Sequence, residues 1–391
     1  VSRPRLTPPD LEYSSSLSQV AYLLLEEGRK DDRNPYNIRL NEFTGEMELN
    51  GKEVTDTDII NAAMELEMGF RWRGRSPSVS KIWDAARWVA RERAYHPIRD
   101  YLEGLTWDGV ERAGNLLEHY AGAIADDSNR ELLRTQSRMI LLGAVARVMA
   151  PGCKLDTMPV LIGGQGCGKS TFCRLLAAKE AWFSDTPLRL DSKDAYQALS
   201  GCWLMEVAEL KSLQGASAET RKAFLTSGSD RFRPPYGRAM VTRPRQVFFI
   251  GTSNRLELHD STGARRYWPI PVRRPRVEEL TRDVGQLWAE ALHLYKNTSH
   301  AWHITDTRLL EHLQTQAEDY TVADPWLASL EAYAKTVEWF TISDFLTSLG
   351  IPDASKTHKN TLRAARLCRA LDMEQGRSRT SGKRTRIWRF R

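Results

Sequence analysis

Eight residues in the middle of the chain have the types and spacing of a phosphate-binding loop: Gly163-Gly164-Gln165-Gly166-Cys167-Gly168-Lys169-Ser170. They read G-x-x-x-x-G-K-S, a P-loop pattern. The glycines let the backbone curl so that successive N–H groups face an anion. A helix start at the same place adds positive potential. Lys169 is placed to reach the outer phosphates of a nucleoside triphosphate, and Ser170 to hold a magnesium ion. Thr171 opens the helix-like run that follows, and the apolar run Met158-Pro159-Val160-Leu161-Ile162 precedes the loop. Strand before and helix after is the context the pattern requires. ATP and Mg2+ are the expected ligands, held by residues 163–171.

Hydrolysis asks for four further groups: a metal-side acid, a base or water-positioner, a polar sensor of the last phosphate, and an arginine that stabilises transition-state charge. Glu206 and Glu209 close a second buried run, Cys202-Trp203-Leu204-Met205. Glu209 is the favoured catalytic acid or base, with Glu206 beside it as a second metal-side carboxylate. Their spacing of three leaves the division of labour open. Asn254, after the apolar run Val247-Phe248-Phe249-Ile250, is placed as the sensor. Arg265 and Arg266 follow, and one of them is expected to project into a neighbouring subunit.

Between these groups lies a basic stretch, Asp230 to Gln246, with Pro234-Pro235-Tyr236-Gly237 as a turn. Arg231, Arg233, Arg238, Arg243 and Arg245 supply cations for phosphates, and Tyr236 a ring for a base. That is what a single-strand-binding hairpin needs.

The elements that must position these groups are short apolar strands alternating with helices, which predicts an α/β fold with a parallel sheet. At 391 residues the chain has room for several units. The expected divisions are a small α+β module at 1–95, a helical lead-in at 96–152, the P-loop core at 153–275, a helical extension at 276–327 and a basic unit at 328–391. In the first, Leu17–Leu25 reads as a helix and residues 38–43 and 46–49 as a hairpin. Thr55 or Thr57 should cap one helix, and Ser76 with Pro77 should start another that runs to Ala94. The last unit reads as two helices and a closing hairpin, the outline of a winged helix.

The net charge is +6, and Gly376–Arg391 alone holds seven Lys/Arg and no Asp/Glu, which points to a polyanionic partner. No apolar run approaches the ~20 residues of a membrane span. The five cysteines form no metal-ligand pattern, and one sits in the loop itself, which suits a reducing cytoplasm. Cys167 reads as inert, Trp107 and Trp203 as core, and His96 and His259 as having no metal role. The chain opens at Val1 rather than Met, as a fragment or a processed form would.

Taken in order, these motifs resemble the virulence-associated protein E family, ATPases of phages and mobile elements related to superfamily 3 helicases. The resemblance runs from His96 to Val272 through Trp107-Asp108-Gly109, Pro151-Gly152-Cys153-Lys154, the P-loop, Glu206-Val207-Ala208-Glu209-Leu210, Asp230–Arg238, Gly251-Thr252-Ser253-Asn254 and Asp260–Arg266. It implies an AAA+-like core that assembles as a ring, expected to be a hexamer, with ATP between subunits. It implies that Glu206 and Glu209 form Walker B, that Asn254 is sensor 1, and that Arg265 or Arg266 is a finger in trans. It also implies that the hairpin Arg231–Arg245 grips single-stranded DNA. Relatives often carry a primase module, but residues 1–95 show no primase carboxylate set. The expected activity is ATP-driven unwinding of single-stranded or forked DNA, with a primase or origin-binding partner. A DNA-binding initiator and a defence ATPase are the alternatives.

Overall fold

The computed structural model describes residues 13–26, 36–70, 74–188, 194–209, 218–233, 240–254, 266–298, 302, 304–318, 320, 325–371, 373–380 and 383–389. They belong to two compact units, Val1–Leu256 with Arg265–Ala317, and Glu257–Ala264 with Glu318–Arg391. No helix among the described residues is long and apolar enough to cross a membrane.

The first unit opens with α1 (Leu17–Glu26), an antiparallel sheet of β1 (Ile38–Asn41), β2 (Glu46–Leu49) and β3 (Lys52–Glu53), then α2 (Asp56–Gly69) and α3 (Val79–Glu92). Thr55 caps α2 through a capping box with Asp58. The cap of α3 is Ser78, two residues later than the expected Ser76, so Pro77 stays outside the helix. Val20, Leu24, Ile59, Leu66, Ile82 and Val89 give this part a core of its own. Phe43 leaves that core and joins the larger one that follows. Asn41 holds the turn around it, accepting from Phe43 N (3.0 Å) and Thr44 N (3.3 Å) through Oδ1.

The chain continues through α4 (Pro97–Glu103), a single π-helical turn at Leu116–Tyr120 and α5 (Arg130–Met149). His96 is buried and caps α4: Nδ1 accepts from Arg99 N (3.2 Å), so Nε2 carries the proton that meets Gln246 Oε1 at 2.6 Å. Burial holds its imidazole below the usual histidine range. Trp107 is only half-buried, tied to Val110 O through Nε1, so it is not the core residue expected.

The central sheet follows: β4 (Met158–Ile162), α6 (Lys169–Leu176), β5 (Phe183–Ser184), α7 (Asp194–Gln197), β6 (Leu204–Ala208), α8 (Ala218–Thr226), the hairpin β7 (Ser229–Phe232) and β8 (Val241–Pro244), then β9 (Phe248–Ser253) and β10 (Tyr267–Pro271). Five strands run parallel in the order β10-β4-β9-β6-β5. Pro269 and Pro271 suit the edge position of β10, because a proline has no N–H to donate to a second neighbour. The short edge strand β5 is absent from the sequence reading. It has two residues, too few for any alternation to register. Then α9 (Val277–Asn297) packs against α5 and α6, and α10 (Thr307–Glu318) follows. Buried tryptophans fasten these layers. Trp203 Nε1 donates to Ala144 O of α5 and Trp288 Nε1 to Leu176 O of α6, both at 2.9 Å, and the two rings lie 4.4 Å apart.

The second unit holds α11 (Pro325–Ala334), α12 (Ile342–Ser348), α13 (His358–Ala370) and an antiparallel ribbon of β11 (Glu374–Thr380) and β12 (Lys383–Arg389). The boundary expected at residue 328 falls inside α11. Phe340 and Trp388 exchange both backbone hydrogen bonds, at 2.9 and 2.8 Å, and so root the ribbon on the segment before α12. Leu330, Phe345, Ala364, Cys368 and Trp388 form its core.

Candidate functional site

β4 delivers Gly163–Gly168 to the carboxyl edge of the sheet, where α6 begins. Gly166 (φ +74°) and Gly168 (φ +105°) occupy backbone that side chains rarely adopt. Gly163 is constrained differently: a Cβ there would lie 2.6 Å from Val272 O.

Lys169 is buried, and its Nζ donates to Gly163 O (2.7 Å) and Gly164 O (2.9 Å) and lies 3.3 Å from Asn254 Oδ1. The ammonium is therefore folded onto its own loop and touches the residue at the tip of β9. Cys167 Sγ is 3.7 Å from the same nitrogen. Ser170 Oγ donates to Glu206 Oε1 at 2.7 Å, and Thr252 Oγ1 donates to the same oxygen at 2.5 Å. Glu206 is 2% exposed, and its other oxygen, Oε2, is buried with no hydrogen-bond partner among the described residues. An acceptor left so is costly, and more so when charged. Beneath the site, burial pushes the Cys173 thiol well above its ordinary range, which leaves it inert.

The strand order explains the convergence. β9 lies between β4 and β6, so Asn254 emerges between the loop and the carboxylate. Glu206 sits inside β6, not at its end, and Glu209 follows the strand. Glu209 is a non-glycine at φ +56° whose N–H donates to Thr252 O at 2.7 Å. Such backbone costs on the order of 1–3 kcal/mol and tends to gather at functional sites. Thr252 is the site residue that sequence reasoning missed. Its signal was available: two residues before Asn254, it lies on the same face of the strand.

Arg266 stands at the other edge. Tyr267 pairs with Met158 and Pro271 with Ile162, so Arg266 lies at the amino end of β10 while the loop lies at the carboxyl end of β4. Five strand residues separate them, roughly 16 Å at ~3.3 Å each. Arg266 Nε is buried without a hydrogen-bond partner among the described residues. Arg265 lies outside the described residues.

The basic hairpin divides into two groups. Arg231 and Arg233 are exposed, and Tyr236 and Arg238 lie outside the described residues. Arg243 and Arg245 do not fit the DNA contact expected of them. Arg245 is 1% exposed and grips Asp230 with Nε (3.1 and 3.2 Å) and Nη2 (2.5 Å). Arg243 binds the turn of the amino-terminal part, donating to Thr44 O and Ser200 Oγ and pairing with Glu46 at 3.6 Å. A Cβ on Gly45 would meet its guanidinium at 2.5 Å. These two arginines hold the base of the hairpin and dock it on β1–β2. Charge counted along a sequence does not separate a buried arginine from an exposed one.

The arrangement is a glycine loop at a helix start, with a lysine, a hydroxyl, a buried carboxylate and an asparagine around one point on the edge of a parallel sheet. A family model for the virulence-associated protein E-like domain matches residues 102–322, more than half of the sequence. The chain belongs to that family. The match runs on through α9 and α10, about fifty residues past the Val272 at which the motif resemblance stopped. No curated protein matches it. The solved A-form apo structure of the NrS-1 C-terminal region aligns over 95% of this chain and 99% of that one, at 13% identity and a TM-score of 0.42. A second structure, of residues 305–718 of the same region, covers 74% and 78%, at 15% identity and a TM-score of 0.41.

Proposed function

We propose that this chain is an ATP-hydrolysing replication protein of a phage or mobile element, which moves along single-stranded DNA and unwinds a fork as a homo-oligomeric ring, expected to be a hexamer. Its core is AAA+-like and its second unit winged-helix-like. The observation that carries the reading is the meeting of Lys169, Ser170, Glu206 and Asn254 at one sheet edge.

The loop N–H groups would cradle the phosphates. Lys169 has three donors and can exchange its loop carbonyls and Asn254 for phosphate oxygens without moving far. Ser170 and Glu206 suit a magnesium ion, since they share one hydrogen bond and leave Glu206 Oε2 buried and unpartnered. Magnesium held there would neutralise charge on the outer phosphates. This divides the acidic pair: Glu206 is the metal-side carboxylate, and Glu209, less buried and just beyond the strand, would orient or deprotonate the attacking water. Asn254 would sense the last phosphate. Arg266 is too far to serve its own loop and would act on the site of a neighbouring copy. Arg231 and Arg233 would meet the phosphates of a single strand.

Unwinding of a forked duplex with ATP and Mg2+ tests the reading. The parent chain should separate the strands, and Lys169→Ala should not. Equal unwinding by the two would sink the proposal. Hydrolysis without unwinding would favour the initiator alternative.

A further inference from the structure

The charge of the second unit is gathered on one half of it. From Pro325 to Lys356 there are two lysines against four carboxylates, and from Thr357 to Arg391 eleven Lys/Arg against two carboxylates. The basic half comprises α13 and the β11–β12 ribbon. In that ribbon Arg377 pairs with Arg386, and Arg379 with Arg384. Alternate positions share a face, so the two pairs fall at register positions on one side of the ribbon. Like charges directly opposite each other destabilise a strand pair. Arg377 and Arg386 are both exposed. Glu374 relieves neither, because it lies on the opposite face and binds Arg389 (2.6 and 2.8 Å). An exposed arginine pair such as Arg377 with Arg386 is costly alone and favourable once a polyanion runs along it.

α13 presents a second surface. Ala364, Leu367 and Cys368 are buried in the core, while His358, Thr361, Leu362 and Arg369 are exposed. Leu362 is 46% exposed in the middle of this polar face.

We infer that the second unit binds duplex DNA, with α13 in the major groove and the arginine face of the ribbon along the adjacent backbone. The inference rests on the winged-helix reading of this unit and is independent of the motor reading of the first. A helix ~10–12 Å across fits the ~12 Å major groove of B-DNA, whereas the major groove of duplex RNA is too narrow to admit side chains. Single strands are held on aromatic platforms, but Trp388, the aromatic of the described ribbon, is buried. Leu362 has the chemistry to meet a thymine methyl.

The test uses the full chain and fluorescence anisotropy on a duplex of about two helical turns and on a single strand of equal length, across a salt series. Arg377→Ala/Arg386→Ala should weaken duplex binding and flatten the log–log salt dependence by about 2, since each lost phosphate contact removes ~0.9 from the slope. Between 50 and 200 mM salt that is roughly a tenfold difference between parent and variant. Single-strand affinity and ATP hydrolysis should stay as in the parent, and Arg377→Lys/Arg386→Lys should restore the slope, which separates lost charge from lost fold. An unchanged duplex slope, or equal losses on duplex and single strand, would overturn the inference. ATP hydrolysis in the same samples bears only on the motor reading, so the two can fail separately.

Discussion

On the proposed function, Glu206→Gln is expected to lower ATP turnover by about 10²–10³-fold while ATP still binds. The carboxylate accepts from Ser170 and Thr252 on one oxygen and buries the other without a partner. Gln keeps the volume and the accepting oxygen, so the loop and β6 keep their packing. What it removes is the negative charge beside Ser170. Charge stabilisation by a bound metal is worth several kcal/mol in a transition state, and each ~1.4 kcal/mol is tenfold in rate. Phosphate release measures turnover, and a fluorescent ATP analogue measures binding. Turnover within threefold of the parent would remove Glu206 from the chemistry and shift the role to Glu209 alone.

Asp230→Ala destabilises the first unit by about 3–5 kcal/mol, the cost of breaking a buried ion pair by deleting one partner. Arg245 is sealed in: its side chain is wholly buried, packs 4.7 Å from the Phe224 ring and donates to Phe224 O. Nearby Arg147 is a second buried guanidinium that donates to Cys153 O (2.8 Å) and Leu155 O (3.3 Å) and is pushed down to about 10, chiefly by burial. Without Asp230, the buried Arg245 loses the carboxylate that pairs with it. A urea titration of the full chain should show an early first transition. Asp230→Asn, which keeps one accepting oxygen, should lose less. An unchanged midpoint for Asp230→Ala would mean that water reaches Arg245 and that the pair does not hold the hairpin base.

The gathering of Lys169, Ser170, Glu206 and Asn254 is legible in the sequence because each follows or ends a run of buried apolar residues. In a parallel sheet such runs deliver their ends to one edge. The same logic could not say that β9 lies between β4 and β6, since strand order is a long-range property. It therefore missed Thr252, whose role depends on that neighbour. The hairpin shows the opposite failure. Arg231, Arg233, Arg243 and Arg245 look alike as a charge run, yet two are exposed and two are engaged inside the fold by Asp230, Thr44, Ser200 and Glu46. Those partners lie up to about two hundred residues away, beyond any local pattern. Ser78 displaced Ser76 as a cap because Pro77 can stand before a helix as well as in its first turn.

The central claim is that the glycine loop and Glu206 form an ATP-hydrolysing site. The most direct measurement is the steady-state rate of phosphate release by the parent chain and by Lys169→Ala, with Mg2+ and with EDTA, in the presence of single-stranded DNA. The predicted result is hydrolysis by the parent that needs Mg2+ and falls to background in Lys169→Ala. Magnesium-dependent hydrolysis that survives the loss of Lys169 would contradict it, as would a parent chain that binds no nucleotide.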